Sequence, residues 1–336
     1  MKRRGYLFEL IITRENLALA FQRAARGKRH GFAVIHFASH LDHHLALLGE
    51  QLRDGSFAFG RFRQFMIRDP KERVITAPHF DERVAHHAIM NICEPVFDRW
   101  LIDDTYACRK GRGREAAVCR AFGFGRTAKW CLNLDVRKYF DSICHDQLLG
   151  MLRRVFKDHL LLEMFDRIVR SFRGTNGRGL PIGSLMSQHF ANFYLGWLDR
   201  FIKQELRIQG YVRYMDDLMF WSNDREQLLD VYKKSSDFLT KRLSLEFKAP
   251  AISQLTWGVD FLGSRLFPTH VELNRRSKRR WSLRVGLLSK SHRLGLLSDN
   301  ALQSRLTALV AFAKSAGTKS WKFRSAMLQK LKVNEP

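Results

Sequence analysis

No apolar run in the 336 residues reaches the 18 or more that a membrane-crossing helix needs. The opening stretch MKRRGYLFELIITREN is basic, but its apolar part is short and soon meets Arg14 and Glu15, which argues against a signal peptide. Cysteine is sparse: Cys93, Cys108, Cys119, Cys131 and Cys144 are odd in number, and no two stand as C-x-x-C. That excludes a zinc ribbon or a disulfide frame and fits reduced thiols in a cytoplasm. Internal repeats and low-complexity tracts are missing. Acidic residues are in deficit, with 33 Asp and Glu against 58 Lys and Arg, a formal charge of +25. Such an excess suits a polyanionic partner, nucleic acid first. No basic amphipathic helix stands apart from the core to serve a membrane surface instead. With 45% hydrophobic residues and 26 Phe, the chain is neither disordered nor short of core.

Helical patterns fill the first 60 or so residues, in NLALAFQRAA and ASHLDHHLALLGEQLRDG. RFRQFMIRDPKERVITAP alternates like a hairpin turning at RDPKER, and DERVAHHAIMNICEPVFDRWL is helical again. WCLNLDV reads as a buried strand, SQHFANFYLGWLDRFIKQEL as a helix, and YVRYMDDLMFWS and LTWGVDFLGSRLFPTH as hairpins. From Glu272 onward the character changes: 15 Lys and Arg against 3 Asp and Glu, on helical patterns, place a boundary near 270.

The stretch RYMDDLMFWS sets Asp216 and Asp217 side by side in an apolar run. An isolated Asp-Asp is most often a polar turn. Here apolar strands flank it, and another strand-like run, LNLDV, ends in Asp135. Strand-end carboxylates meeting on one sheet repel unless divalent cations neutralise them. Mg²⁺ takes hard oxygens and keeps waters and phosphates in its shell, so nucleotidyl transfer is the chemistry that this set suggests. The histidines of SHLDHHL and VAHHA are better read as solvated or core residues than as zinc ligands. KGRGR (110–114) suits either a template-backbone contact or a solvated loop.

YMDD resembles the signature of reverse transcriptases, and other motifs of that family follow in order over about residues 10–330. LDVRKYFDSI resembles the first catalytic motif and GLPIGSLMSQHFANFYL the one that positions the incoming nucleotide. LSLEF and VDFLGSRL resemble later palm segments, and PKERVITAP the basic fingers hairpin. Within the family the chain most resembles the reverse transcriptases of bacterial and phage diversity-generating retroelements, in the group II intron-like superfamily. Most relatives carry Gln-Gly and Ser-Pro where this chain has Ile182-Gly183 and Ser187-Gln188.

The resemblance implies an α+β right-hand polymerase. An N-terminal helical extension would occupy 1–60, fingers 61–129, a palm with an antiparallel sheet 130–270, and a basic helical thumb 271–336. It implies that Asp135, Asp216 and Asp217, with the Val136 carbonyl, hold two Mg²⁺ ions, Mn²⁺ being an alternative. Lys71, Arg73, the segment Arg137, Lys138, Tyr139 and Phe140, and Ile182 with Gly183 would bind the dNTP, Phe140 excluding a ribose 2′-hydroxyl. Arg83 matches a family position too, with a structural role as the alternative. Ile182, Ser187 and Gln188 would set fidelity. Tyr214, Met215, Phe261, Leu262 and Gly263 would lie beside the primer. The implied partners are template RNA, the RNA/cDNA hybrid and a pentameric basic accessory protein, in the cytoplasm of a bacterial or phage-infected cell. The implied product is cDNA with errors opposite template adenines. A retron or anti-phage defence enzyme, or a polymerase-fold RNA binder without turnover, are the rival readings.

Overall fold

The computed structural model describes residues 3–68, 72–172, 174, 177–314 and 318–330. In chain order its helices are α1 (Phe8–Ile11), α2 (Arg14–Ala25), α3 (Phe32–Ser39), α4 (Leu41–Arg53), α5 (Phe80–Trp100), α6 (Arg114–Gly125) and α7 (Tyr139–Ser142). There follow α8 (His145–Val155), α9 (His159–Ser171), α10 (Leu185–Arg200), α11 (Arg225–Leu243), α12 (Arg275–Arg293), α13 (Asp299–Lys314) and α14 (Thr318–Lys330). The strands are β1 (Phe62–Arg68), β2 (Glu72–Pro78), β3 (Trp130–Asp135), β4 (Tyr211–Tyr214), β5 (Asp217–Ser222), β6 (Ala251–Gln254), β7 (Val259–Phe261), β8 (Ser264–Leu266) and β9 (Val271–Leu273). Two compact units result. The first comprises Met1–Arg109, Val136–Arg207 and Lys234–Lys248, the second Lys110–Asp135, Ile208–Lys233 and Ala249–Pro336.

In the first unit, apolar spacing sets which helix faces are buried. Leu148, Leu149, Leu152 and Val155 of α8 and Leu161, Met164, Phe165, Ile168 and Val169 of α9 recur at three- and four-residue steps, and all are buried. They join Phe97, Phe156, Phe190 and Phe193 in an aromatic core with ring centroids 5.3–6.4 Å apart. Each such ring removes enough apolar surface to stabilise the fold by about 2–3 kcal/mol. One carboxylate starts two helices: Asp158 accepts from Leu161 N at the head of α9 and from Leu7 N and Phe8 N at the head of α1. A loop runs along α10, tied to it by Thr105 Oγ1 donating to Asp199 and by Asn192 Nδ2 donating to Ala107 O, 2.7 Å each. The β1–β2 hairpin pairs from Phe62↔Pro78 to Arg68↔Glu72. Lys71 and the middle of the turn expected at RDPKER, residues 69–71, lie outside the described residues.

At the base of that hairpin sits a buried ionisable pair. Glu82, 1% exposed, accepts from Gly60 N and Arg61 N at 3.0 and 3.2 Å, and lies 3.5 Å from the His86 Nε2. Burial pushes the Glu82 carboxyl up to about 7 and pulls His86 down to about 3.

In the second unit, a four-stranded antiparallel sheet runs in the order β4-β5-β3-β6. Strands β7, β8 and β9 form a second antiparallel sheet; the sequence reading took the first two as a hairpin and did not see β9. Helices α12, α13 and α14 close around Trp281, whose Nε1 donates to Leu309 O at 2.8 Å, with Leu273, Val285, Leu306, Ala313 and Leu328. The fold is therefore mixed α and β with antiparallel sheets. No described helix is long and apolar enough to cross a membrane.

The Glu82 carboxyl must ionise inside the fold, so its contribution to stability is full below about 4.5 and declines as pH rises to about 7. Glu82→Gln keeps an acceptor for Gly60 and Arg61 without that ionisation. Urea midpoints between pH 4.5 and 7.5 should show the variant gaining on the wild type with rising pH, by up to about 3 kcal/mol. A difference that does not change with pH would contradict the assignment.

Candidate functional site

The acidic site forms within the second unit. The register of β3 on β5 sets Leu134 opposite Leu218 and Asp135 opposite Asp217. Leu132 and Leu134 are buried on β3, and a one-residue slip would throw them out of the core, so that register is fixed. Asp217 is the first residue of β5, paired also with Tyr214 of β4, so Met215 and Asp216 alone form the turn. Sequence reading had placed both aspartates in it. Met215 takes a left-handed φ of +56°. Arg213, fully buried, donates from Nη1 to the Met215 carbonyl at 2.9 Å and so holds the turn that carries Asp216.

Asp135 and Asp217 stand opposite each other in the strand register and Asp216 precedes Asp217 in the turn, and carboxylate oxygens are the donors that a hard divalent cation takes. Among the described residues, no group of three or more His, Cys, Asp and Glu side chains could hold a metal ion. A cation that completes its shell with water and substrate phosphate does not need a closed protein cage, so the donor chemistry fits such an ion.

The turn expected beside the primer lies in the same unit. Leu262 and Gly263 join β7 to β8 with φ of +48° and +84°, the geometry of a tight hairpin. A Cβ on Gly263 would come 2.8 Å from Ser277 Oγ, which leaves glycine as the residue that fits. Asn274 N donates to the Gly263 carbonyl, and the Asn274 side chain caps α12 through Ser277 N. Arg114 had been read as part of a phosphate-contacting or solvated KGRGR loop. Its guanidinium instead donates to the Leu262 carbonyl at 3.4 Å and lies 4.4 Å from the centre of the Phe312 ring. Burial lowers its pKa, while the nearby Glu115 and Tyr214 oppose the shift. Only the folded chain reveals this bridge.

The residues expected on the nucleotide side lie in the first unit. Leu180 N donates to the Phe140 carbonyl at 2.8 Å, and Thr76 N donates to the Ile182 carbonyl at 2.7 Å. The segment 180–182 is thus stitched on one side to α7 and on the other to β2, the strand that carries the exposed Arg73. Gly183, at φ +123°, sits where a Cβ would lie 2.7 Å from Ile75 Cγ2 and 3.2 Å from Thr76 O. Ser187 is buried and Gln188 exposed on the first turn of α10, with Cys108 Sγ 3.8 Å from Gln188 Oε1. Arg137, Lys138 and Tyr139, expected near the phosphates, and Val136, whose carbonyl was expected on the metal, show these partners and settings. Arg137 N donates to Glu246 O, Val136 is buried and bridges to Phe247, Tyr139 is buried with its hydroxyl donating to Ala191 O, and Lys138 is left-handed at φ +44°. Arg83 donates to Ala24 O at 2.9 Å, which gives it a structural partner.

The profile of the family "Reverse transcriptase (RNA-dependent DNA polymerase)" matches residues 68–266, so the chain belongs to that family. Nuclear intron maturase 4, mitochondrial, of Arabidopsis thaliana is 30% identical over 170 residues, 48% of this chain and 21% of the maturase. The group II intron-encoded protein LtrA of Lactococcus lactis subsp. cremoris is 26% identical over 167 residues, 46% of this chain and 27% of LtrA. The chain thus spans only about a fifth to a quarter of these relatives' lengths. The telomerase structure from Candida albicans in complex with a fragment of telomeric RNA aligns at a TM-score of 0.45 and 11% identity, over 81% of this chain and 55% of the telomerase. Reverse transcriptases generally use divalent metal ions.

Gly183→Ala adds a Cβ against Ile75 and Thr76 at a backbone angle that side-chain-bearing residues resist, and should cost about 1–3 kcal/mol. Urea denaturation reads that loss, and limited proteolysis should cut the 62–78 hairpin faster. Ile75→Ala in the same chain should restore part of the stability. An unchanged midpoint and cleavage rate would contradict the close approach.

Proposed function

We propose that this member of the reverse transcriptase family is an RNA-directed DNA polymerase of the diversity-generating type, which copies a template-repeat RNA into error-prone cDNA. The observation that carries the polymerase reading is the placement of Asp135 opposite Asp217, with Asp216 in the adjoining turn, on a chain of charge +25. Asp135 and Asp216 would hold two Mg²⁺ ions, with Mn²⁺ as a substitute, and Asp217 beside them. The bound ions would lower the pKa of the primer 3′-hydroxyl and neutralise charge on the α-phosphate and the departing pyrophosphate.

The chain's own residues would do the positioning. Arg213 fixes the turn beneath Asp216, and the Leu262–Gly263 turn, braced by Arg114 and Asn274, supports the primer end. Arg73 on β2, and Lys71 just before it, would meet the triphosphate, Arg in a bidentate mode and Lys as a point charge. The Phe140 ring would leave a ribose 2′-hydroxyl without a hydrogen-bond partner, which favours dNTPs. Fingers, palm and thumb would follow the divisions near residues 61, 130 and 271. The cations of α12 to α14 would hold the hybrid by shape and backbone charge.

The diversity-generating assignment rests on Ile182-Gly183 and Ser187-Gln188. An isoleucine can pack against a nascent base pair but gives it no hydrogen bond, so polar discrimination is lost. A basic accessory protein and a bacterial or phage-infected cytoplasm belong to the same reading. The similarity to intron proteins supports a second reading, an intron-type enzyme that assists its own RNA. A template and variable repeat pair flanking the gene separates the two.

The test is primer extension on an RNA template with dNTPs and Mg²⁺, followed by sequencing of the cDNA. Wild type should extend and misincorporate mainly opposite adenine. Ile182→Gln should lower that error frequency by about 10-fold, the scale of one lost hydrogen-bond check. No extension would end the polymerase reading, and an unchanged error spectrum would end the role of Ile182.

A further inference from the structure

We infer that the N-terminal helices carry a binding site for an unpaired nucleobase of single-stranded RNA, at the open end of a ladder of aromatic and imidazole rings. The inference rests on the chain's handling RNA and adds a subsite that polymerisation does not require. The ladder starts in the core. Phe21 and Phe37 are stacked, their centroids 5.6 Å apart and their planes at 15°. Phe37 lies 5.0 Å from His44 at 37°, His44 is stacked 5.6 Å from His36 at 29°, and His36 lies 6.2 Å from Phe32 at 31°. Five rings thus follow one another, stacked or tilted by 15–37° at each step, from Phe21 through buried Phe37 to Phe32, which is 84% exposed.

Phe32 leaves its ring in water at the edge of a cleft, and apolar surface lining a groove is where ligands bind. The cleft beside the ladder measures about 360 Å³, at the small end of ligand sites. Phe32, His36, Phe37 and His44 line it, and its polar rim includes Gln51 and Arg61. His44 is held in place: its Nδ1 must donate to the Phe37 carbonyl, 3.0 Å away, because a carbonyl only accepts. That leaves Nε2 as an acceptor on the neutral ring.

Charge selects the occupant. Arg26, Lys28, Arg29 and His30 stand exposed in the turn just before Phe32. The one acidic residue lining the cleft, Asp81, is paired with Arg61. Flat rings that continue a stack, beside cations that take the adjoining phosphates, are what a single strand recognises, and every base offers a π-face. A duplex keeps its bases stacked internally and has none to give.

The test uses the full chain with Phe32→Ala and His36→Ala, exposed positions outside the polymerase site, each checked for folding by circular dichroism. A labelled single-stranded RNA oligonucleotide and a blunt RNA/DNA hybrid are titrated at two salt concentrations. Loss of stacking should weaken single-strand binding by about 10-fold in each variant, with hybrid affinity and the salt slope unchanged because the cations remain. 5-Iodouridine-substituted RNA should crosslink within residues 32–51. Unchanged single-strand affinity, an equal loss for the hybrid, or equal displacement by poly-glutamate would overturn the site, the last marking an acidic protein surface as the occupant instead. Primer extension by the same preparations keeps the two readings apart. Extension with unaltered RNA affinity removes only this subsite, whereas a wild type that binds the single strand through Phe32 but never extends removes only the polymerase reading.

Discussion

Asp135 and Asp217 face each other across an antiparallel strand pair, and Asp216 follows in the turn, so three like charges are crowded at one sheet end. The sheet does not let them separate. Buried Leu132, Leu134, Leu218 and Phe220 lock the register of β3 and β5, and the buried Arg213 ties down the Met215 carbonyl. On the proposed reading, carboxylates held together in this way would meet divalent cations, and the chemistry would follow from that. In the same unit the Leu262–Gly263 turn is held from two sides. Asn274 ties the Leu262–Gly263 turn to the start of α12, and Arg114 ties it to Phe312.

The first unit meets a different constraint, the placement of an extended segment with no sheet of its own. Residues 180–182 obtain their order by borrowing hydrogen bonds, from Leu180 to Phe140 and from Thr76 to Ile182. The Thr76 N–H points away from the β1–β2 ladder, so β2 serves two partners at once. Gly183 is the condition for that arrangement, since any Cβ there meets Ile75. The residue next to the hairpin strand, Ile182, is also the one whose side chain departs from the usual glutamine of the family motif.

Much of this was legible in the sequence because it is local. Alternating apolar residues around YMDD predict the β4–β5 hairpin, and the run ending in Asp135 predicts β3. Periodicity also gave α5 through an internal Pro95, and α10. What could not be read depends on distant partners. Nothing near Val271–Leu273 marks it as a third strand on β8. Arg114 sits in a Gly- and Arg-rich stretch that looks like a phosphate loop, and its ties to Leu262 and Phe312 are set by the fold. The Arg137 N–H looked available until Glu246, 109 residues on, took it. The histidines of SHLDHHL were read as solvated or core residues, and what the sequence did not show is that His44 stacks on His36 in a run of rings that includes Phe32.

The central claim is that the carboxylate pair at the end of β3 and β5 performs nucleotidyl transfer while other parts of the chain bind nucleic acid. Asp135→Asn tests it most directly, in paired assays of primer extension with Mg²⁺ and of RNA affinity at fixed salt. The account predicts that extension is abolished while RNA affinity stays within about twofold, because phosphate contacts by the many cations dominate binding. Undiminished extension would contradict it.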